Sequence, residues 1–143
     1  MSARAPARAK PFRLVAPVVA EHPLQKQIAD MLRVEVAPPG KVSKQGVVWW
    51  SADIANYGGS VPGIRVGRGL IAGIPDLSVL YRGVAHFIEI KTLSPAAELS
   101  LAQRSVAAAL LAAGGRVGVV CSAADVLALL DAWSVPRARR VTP

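Results

Sequence analysis

GIPDLSVLYRGVAHFIEIK, residues 73–91, is the stretch that decides how the rest of the chain is read. Its two halves, PDLSVLY (75–81) and VAHFIEIK (84–91), are rich in β-branched and aromatic residues, and the Arg82-Gly83 pair between them is a turn signal. The pattern predicts two strands joined as a hairpin. Asp76, Glu89 and Lys91 interrupt an apolar run, at positions where a core is being built. Alternate side chains of a strand share a face, about 6.6 Å apart at roughly 3.3 Å per residue. Phe87, Glu89 and Lys91 therefore point one way, and Ile88 and Ile90 the other. The hairpin folds Asp76 back beside Glu89. Two carboxylates and an ammonium thus converge at one end of a sheet.

Outward from the hairpin, the chain alternates helix and strand signals. Leu24, Ile28, Met31 and Leu32 recur at helical spacing after Pro23, which predicts a helix from Glu21. APPGKVSKQG (37–46) reads as a basic loop and VVWWSA (47–52) as a strand. NYGGSVPGIRVGRG (56–69) reads as an ordered loop or hairpin whose only charges are Arg65 and Arg68. TLSPAAE (92–98) is a loop, after which Ser100 opens a helix with Leu99, Ala102, Val106, Ala109, Leu110 and Ala113 on its apolar side. Gly114-Gly115 ends it. RVGVVC (116–121) is a short apolar run suited to a buried strand, and Ser122 to Asp125 resembles a capping box before a helix through Trp133. The order implies an α/β fold, a mixed sheet flanked by helices. One domain is expected over residues 21–134, between a basic disordered arm (1–20) and a basic tail (135–143).

The totals agree with one soluble domain. The chain has 143 residues, 52% of them hydrophobic, and a formal net charge of +8. Its pI is about 10.6. Such a balance points to a polyanionic partner, nucleic acid first and an anionic membrane surface second. No apolar run reaches the roughly 18 residues of a membrane span, and no Lys- and Arg-rich amphipathic helix suggests surface insertion. No membrane partner is expected. A single cysteine, Cys121, excludes an intrachain disulfide and a cysteine-based zinc site, and suits a reducing, cytoplasmic compartment. No Walker loop, Ser-His-Asp pattern or His-x-x-x-His appears, and no small-molecule cofactor is expected.

Neighbouring carboxylates repel, and a divalent cation relieves them. Oxygen ligands from Asp76 and Glu89, joined by the Ile90 carbonyl, suit Mg²⁺ or Mn²⁺. Such an ion offsets charge on a phosphorane-like transition state, and Lys91 would orient the attacking water. The plainer reading is a surface ion pair between Glu89 and Lys91, worth about 0–1 kcal/mol.

GIPDLSVL, then IEIK, then LSLAQ, then GGRVGVVCSAADVLALLDAW together resemble the PD-(D/E)xK nuclease superfamily, and most closely its virus-type replication-repair nuclease (VRR-NUC) domain. The resemblance spans about residues 21–133 and is densest from Gly73 to Gln103. It implies a restriction-endonuclease-like fold with Asp76 and Glu89 as metal ligands and Lys91 as the catalytic lysine. Gln103 would contact the water or support Lys91, although Ser100-x-x-Gln103 is also a capping box in its own right. Glu21 stands where the family's upstream helix supplies a glutamate, and Asn56 where related domains carry an asparagine-containing loop. One departure is the loop after Lys91, whose low basic and glycine content would alter the grip on the substrate backbone.

Phosphate contacts are expected from Lys41, Lys44, Arg65 and Arg68, with solvated loop charge as the alternative. Trp49 and Trp50 must face opposite ways, one into the core, the other free to stack on a base or fill a dimer interface. His22 and His86 do not pair by spacing. The expected function is a metal-dependent DNA endonuclease. The resemblance implies a homodimer acting on branched DNA, with four-way (Holliday) junctions as the leading substrate. A flap, restriction-like or non-specific nuclease is the alternative within the enzyme class, and a catalytically silent DNA-binding scaffold outside it.

Overall fold

The computed structural model describes residues 21–52, 69–93 and 98–138, except the side chains of Glu21 and His22. The expected arm, Asn56, Arg65, Arg68 and the chain end from 139 lie outside the described residues. The elements are α1 (Glu21–Glu35), β1 (Val47–Ser51), β2 (Leu77–Tyr81), β3 (Val84–Ile90), α2 (Leu101–Ala112), β4 (Arg116–Val120) and α3 (Ala123–Ala132).

The four strands form one sheet in the order β1-β2-β3-β4. β1 and β2 pair antiparallel, as do β2 and β3, while β3 and β4 run parallel. The fold is therefore α/β with a mixed sheet and flanking helices. Arg82 (φ 48°) and Gly83 (φ 75°) both have positive φ, which is what a two-residue hairpin turn requires, and Tyr81 pairs with Val84 directly beneath them. The parallel pair needs a crossover, and α2 supplies it.

The two faces of the sheet differ. Val47, Trp49, Leu77, Val79, Ile88, Ile90 and Val120 are buried against Leu24, Ile28 and Leu32 of α1 and Val126 and Leu130 of α3. Burying each such aliphatic side chain stabilises by about 1.5–3 kcal/mol. His86 lies on this face, buried, with its ring 5.1 Å from that of Trp133. The opposite face carries Phe87 and Glu89 and is crossed by α2. That helix buries no residue fully. Ala102, Gln103, Val106 and Leu110 are half-buried, but Ala109 and Ala113, expected on the apolar side, are exposed. Trp49 is the core tryptophan, its indole N–H donating to the Ala37 carbonyl at 2.7 Å, and Trp50 is 42% exposed on the other face.

The expected boundary at residue 134 falls short. Val135 is buried, the Ala138 N–H donates to the Glu35 carbonyl, and the Arg137 guanidinium bonds both Asp131 and Glu35. Residues 135–138 belong to the packed domain and not to a tail. Among the described residues, no helix is long and apolar enough to cross a membrane.

Candidate active site

The register of the hairpin brings the charged residues together. Leu77 pairs with Ile88, so the next position along sets Asp76 opposite Glu89. Asp76 lies just before β2, where the Ala52 N–H donates to its carbonyl and prolongs the β1–β2 ladder. Its carboxylate is held from two elements. Oδ2 accepts from the Ile90 N–H at 2.7 Å, and Oδ1 accepts from Gln25 Nε2 of α1 at 3.2 Å. In a strand, the N–H and C=O of one residue point to the same side, so the Ile90 carbonyl is directed toward Asp76 as well.

Gln103 links the rest. Its Oε1 accepts from Lys91 Nζ and from the Ser100 N–H, each at 2.9 Å. Its Nε2 donates to Oε1 of Glu89. The backbone N–H of Ser100 can only donate, so the amide atom facing it must be oxygen, and the NH₂ is left for Glu89. Ser100 Oγ completes the capping box by accepting from the Gln103 N–H at 3.1 Å. The helix cap and the charged cluster are thus one network. Glu89 is buried, 6% exposed, and Lys91 is half-buried.

Gly73 explains how α2 comes so near. It has a φ of +88°, and a Cβ there would lie 2.5 Å from the Ala102 carbonyl group and 2.8 Å from the Gln103 nitrogen. Only a residue without a side chain lets the backbone before Asp76 cross the first turn of α2 at this distance.

Asp76, Glu89, the Ile90 carbonyl, Lys91 and Gln103 therefore share one end of the sheet. Lys41 and Lys44 do not join them. Their loop enters β1 at Val47, opposite Tyr81 and so at the hairpin-turn end, and Lys44 lies near Ala138. The residue that sequence reasoning missed is Gln25. Its bond to Asp76 spans 51 positions, a distance that no local pattern in the sequence marks.

Comparison with family models, curated proteins and solved structures gave no significant match.

Among the described residues, no three His, Cys, Asp or Glu side chains cluster as a metal site. The donors present at this end of the sheet are two carboxylates and one main-chain carbonyl. This set fits Mg²⁺, which takes one or two carboxylates and completes its shell with waters and substrate phosphates, and it does not suit a softer ion. Two other polar groups lie apart from this cluster. Cys121 Sγ donates to Asp125 Oδ2 at 3.2 Å, and that bond raises its pKa, so a thiolate is disfavoured. Burial lowers the pKa of His86 on the far face.

Proposed function

We propose that the chain is a metal-dependent DNA endonuclease of the PD-(D/E)xK type, close to the VRR-NUC domain. The observation that carries this reading is the Lys91–Gln103–Glu89 hydrogen-bond chain beside Asp76 at one end of the sheet. A plain surface ion pair accounts for it poorly. Glu89 is buried, and Lys91 bonds the Gln103 amide, which leaves its charge available to a third group.

Each residue has a task in phosphodiester hydrolysis. Asp76 and Glu89, with the Ile90 carbonyl, would hold Mg²⁺ or Mn²⁺. A bound ion would supply Lewis-acid polarisation of the scissile phosphate. Lys91 orients the attacking water and stabilises the charge that develops on the phosphoryl oxygens. Gln103 fixes the Lys91 ammonium and presents an N–H to Glu89, so that neither side chain swings away. The net charge of +8 draws in the polyanionic substrate. We further propose a homodimer that cuts branched DNA, because two identical sites about a two-fold axis match a two-fold-symmetric junction.

The test is cleavage of labelled four-way junction, flap, duplex and single strand with Mg²⁺, Mn²⁺ or EDTA. Metal-dependent, paired nicking of the junction is expected. Lys91→Ala should lower the rate by about three orders of magnitude or more while binding persists. Binding to branched DNA with no cutting under any metal would sink the enzyme reading in favour of a scaffold. Cutting of every substrate would remove the junction preference.

A further inference from the structure

Asp76 also borders a second space. A cleft of about 480 Å³ opens between α1 and the end of the sheet, lined by Gln25, Lys26, Asp30 and Arg33 of α1 and by Ser51 and Asp76 among others. It begins at the candidate site, where Gln25 bonds Asp76, and runs along one stripe of α1. Lys26, Asp30 and Arg33 recur at spacings of four and three residues, so they share that stripe. From Lys26 to Arg33 the helix rises by about 10 Å. That length matches roughly three nucleotides of one strand, each of which advances about 3.4 Å along a duplex.

The two cations converge on one carboxylate. Lys26 Nζ lies 2.6 Å from Asp30 Oδ2, and Arg33 Nη1 lies 2.9 Å from Asp30 Oδ1. All three side chains are well exposed, at 77%, 52% and 49% for Lys26, Asp30 and Arg33. Exposed pairs of this kind contribute little to stability. An ammonium on one oxygen and a guanidinium on another is also a way in which these two cations can hold a phosphodiester. Here a carboxylate of the chain itself stands in its place.

We propose that this cleft carries the DNA strand flanking the scissile bond, with Lys26 and Arg33 as its phosphate contacts and Asp30 as the carboxylate that a phosphate displaces. The inference deepens the nuclease reading and rests on it, since that reading makes DNA the substrate and Asp76 the cutting end of the cleft. Asp30 then has a defined consequence. It competes with the substrate for both cations, so removing its charge should strengthen binding.

The test measures binding of a labelled four-way junction and a labelled duplex by the full chain in EDTA across a KCl series. Four proteins are compared: wild type, Lys26→Ala/Arg33→Ala, Asp30→Asn, and Arg82→Ala/Arg116→Ala, which removes equal charge at the far end of the sheet. The first double variant should weaken binding about ten-fold or more and flatten the salt slope by about 2. Asp30→Asn should tighten binding several-fold, and the remote pair should have a much smaller effect than Lys26→Ala/Arg33→Ala. A merely structural trio would make Asp30→Asn neutral or weaker, and either result overturns the proposal. So would equal losses from the two double variants, which would mean diffuse attraction alone. Melting temperatures of all four proteins check that each is folded. Cleavage is scored separately with Mg²⁺. A wild type that never cuts but shows the expected binding pattern would remove the nuclease reading and leave the strand path standing.

Discussion

At the scale of single residues, Gln103 joins Lys91, Ser100 and Glu89 through one side-chain amide. Both acceptor positions of its amide oxygen are engaged, by Lys91 and Ser100, and its NH₂ faces a buried carboxylate. Gln103→Ala should lower cleavage about 10–100-fold, the usual effect of losing a residue that orients a catalytic group, and leave the Kd for DNA nearly unchanged. Gln103→Glu should be worse, because it sets a second carboxylate against Glu89 and offers it no donor. Rate measurements on the two variants decide the point, and a Glu variant more active than the Ala variant would refute the donor role. His86 makes a prediction about stability. Burial, with Arg116 nearby, lowers its pKa below the ordinary 6.5. Above pH 6.5 the imidazole is neutral in both folded and unfolded chains, and its environment costs nothing. As pH falls below 6.5 the unfolded chain takes up the proton first, so stability declines until the folded-state pKa is passed. Urea unfolding at pH 5 and pH 7.5 should show this loss in the wild type and a smaller one in His86→Phe, and equal losses would contradict it.

At the scale of elements, the crossing of Gly73 over α2 sets the site. Gly73→Ala places a Cβ 2.5 Å from main-chain atoms of Ala102 and forces an L-residue to a φ of +88°. The expected cost is about 1–3 kcal/mol, and cleavage should fall at least about ten-fold as the first turn of α2 retreats and takes Gln103 with it. Thermal melting and rate measurements check both, and a variant matching the wild type in either would show that the crossing can relax. Much of this layer is legible in the sequence. The β-branched and aromatic runs and the Arg82-Gly83 turn mark the hairpin, and the Ser100 and Ser122 caps mark two helix starts. The second cap differs in detail: Asp125 takes the Cys121 N–H, while Ser122 Oγ accepts from Asp125. The burial of α2 was not legible, because its alanines suit an apolar face and an exposed one equally well. Only the sheet opposite decides which of them are covered. The pairing of Gln25 with Asp76 was hidden for a related reason, since helical spacing shows which residues share a face but not which strand end that face meets.

At the scale of the whole molecule, the chain closes on itself through a segment that composition disguises. PRARRVTP reads as a basic tail because its arginines dominate it, and a lone valine before it carries no periodicity. Yet Val135 fills the core, and Arg137 reaches Glu35 at 2.9 Å across 102 positions. Glu35 is almost fully buried, and a buried carboxylate depends on its hydrogen-bonded partners. Asp131 grips the same guanidinium at 2.9 Å, so Arg137 ties the end of α3 to the end of α1. Two chains separate the readings, one ending at Ala138 and one at Ser134. If residues 135–138 were a solvated tail, both would melt together. Burial of Val135 and the charged hydrogen bonds to Glu35 imply instead that the shorter chain is less stable by about 2–4 kcal/mol. Arg137→Ala in the full-length protein should lose about 1–3 kcal/mol of this, since Val135 stays in place. Urea midpoints measure both differences. The Asp76 end of the sheet, the proposed site, lies away from this closure, so the proposed cleavage by Arg137→Ala at a temperature where it is folded should match the wild type. A rate that fell along with stability would mean that the C-terminal closure and the Asp76 end of α1 move as one body.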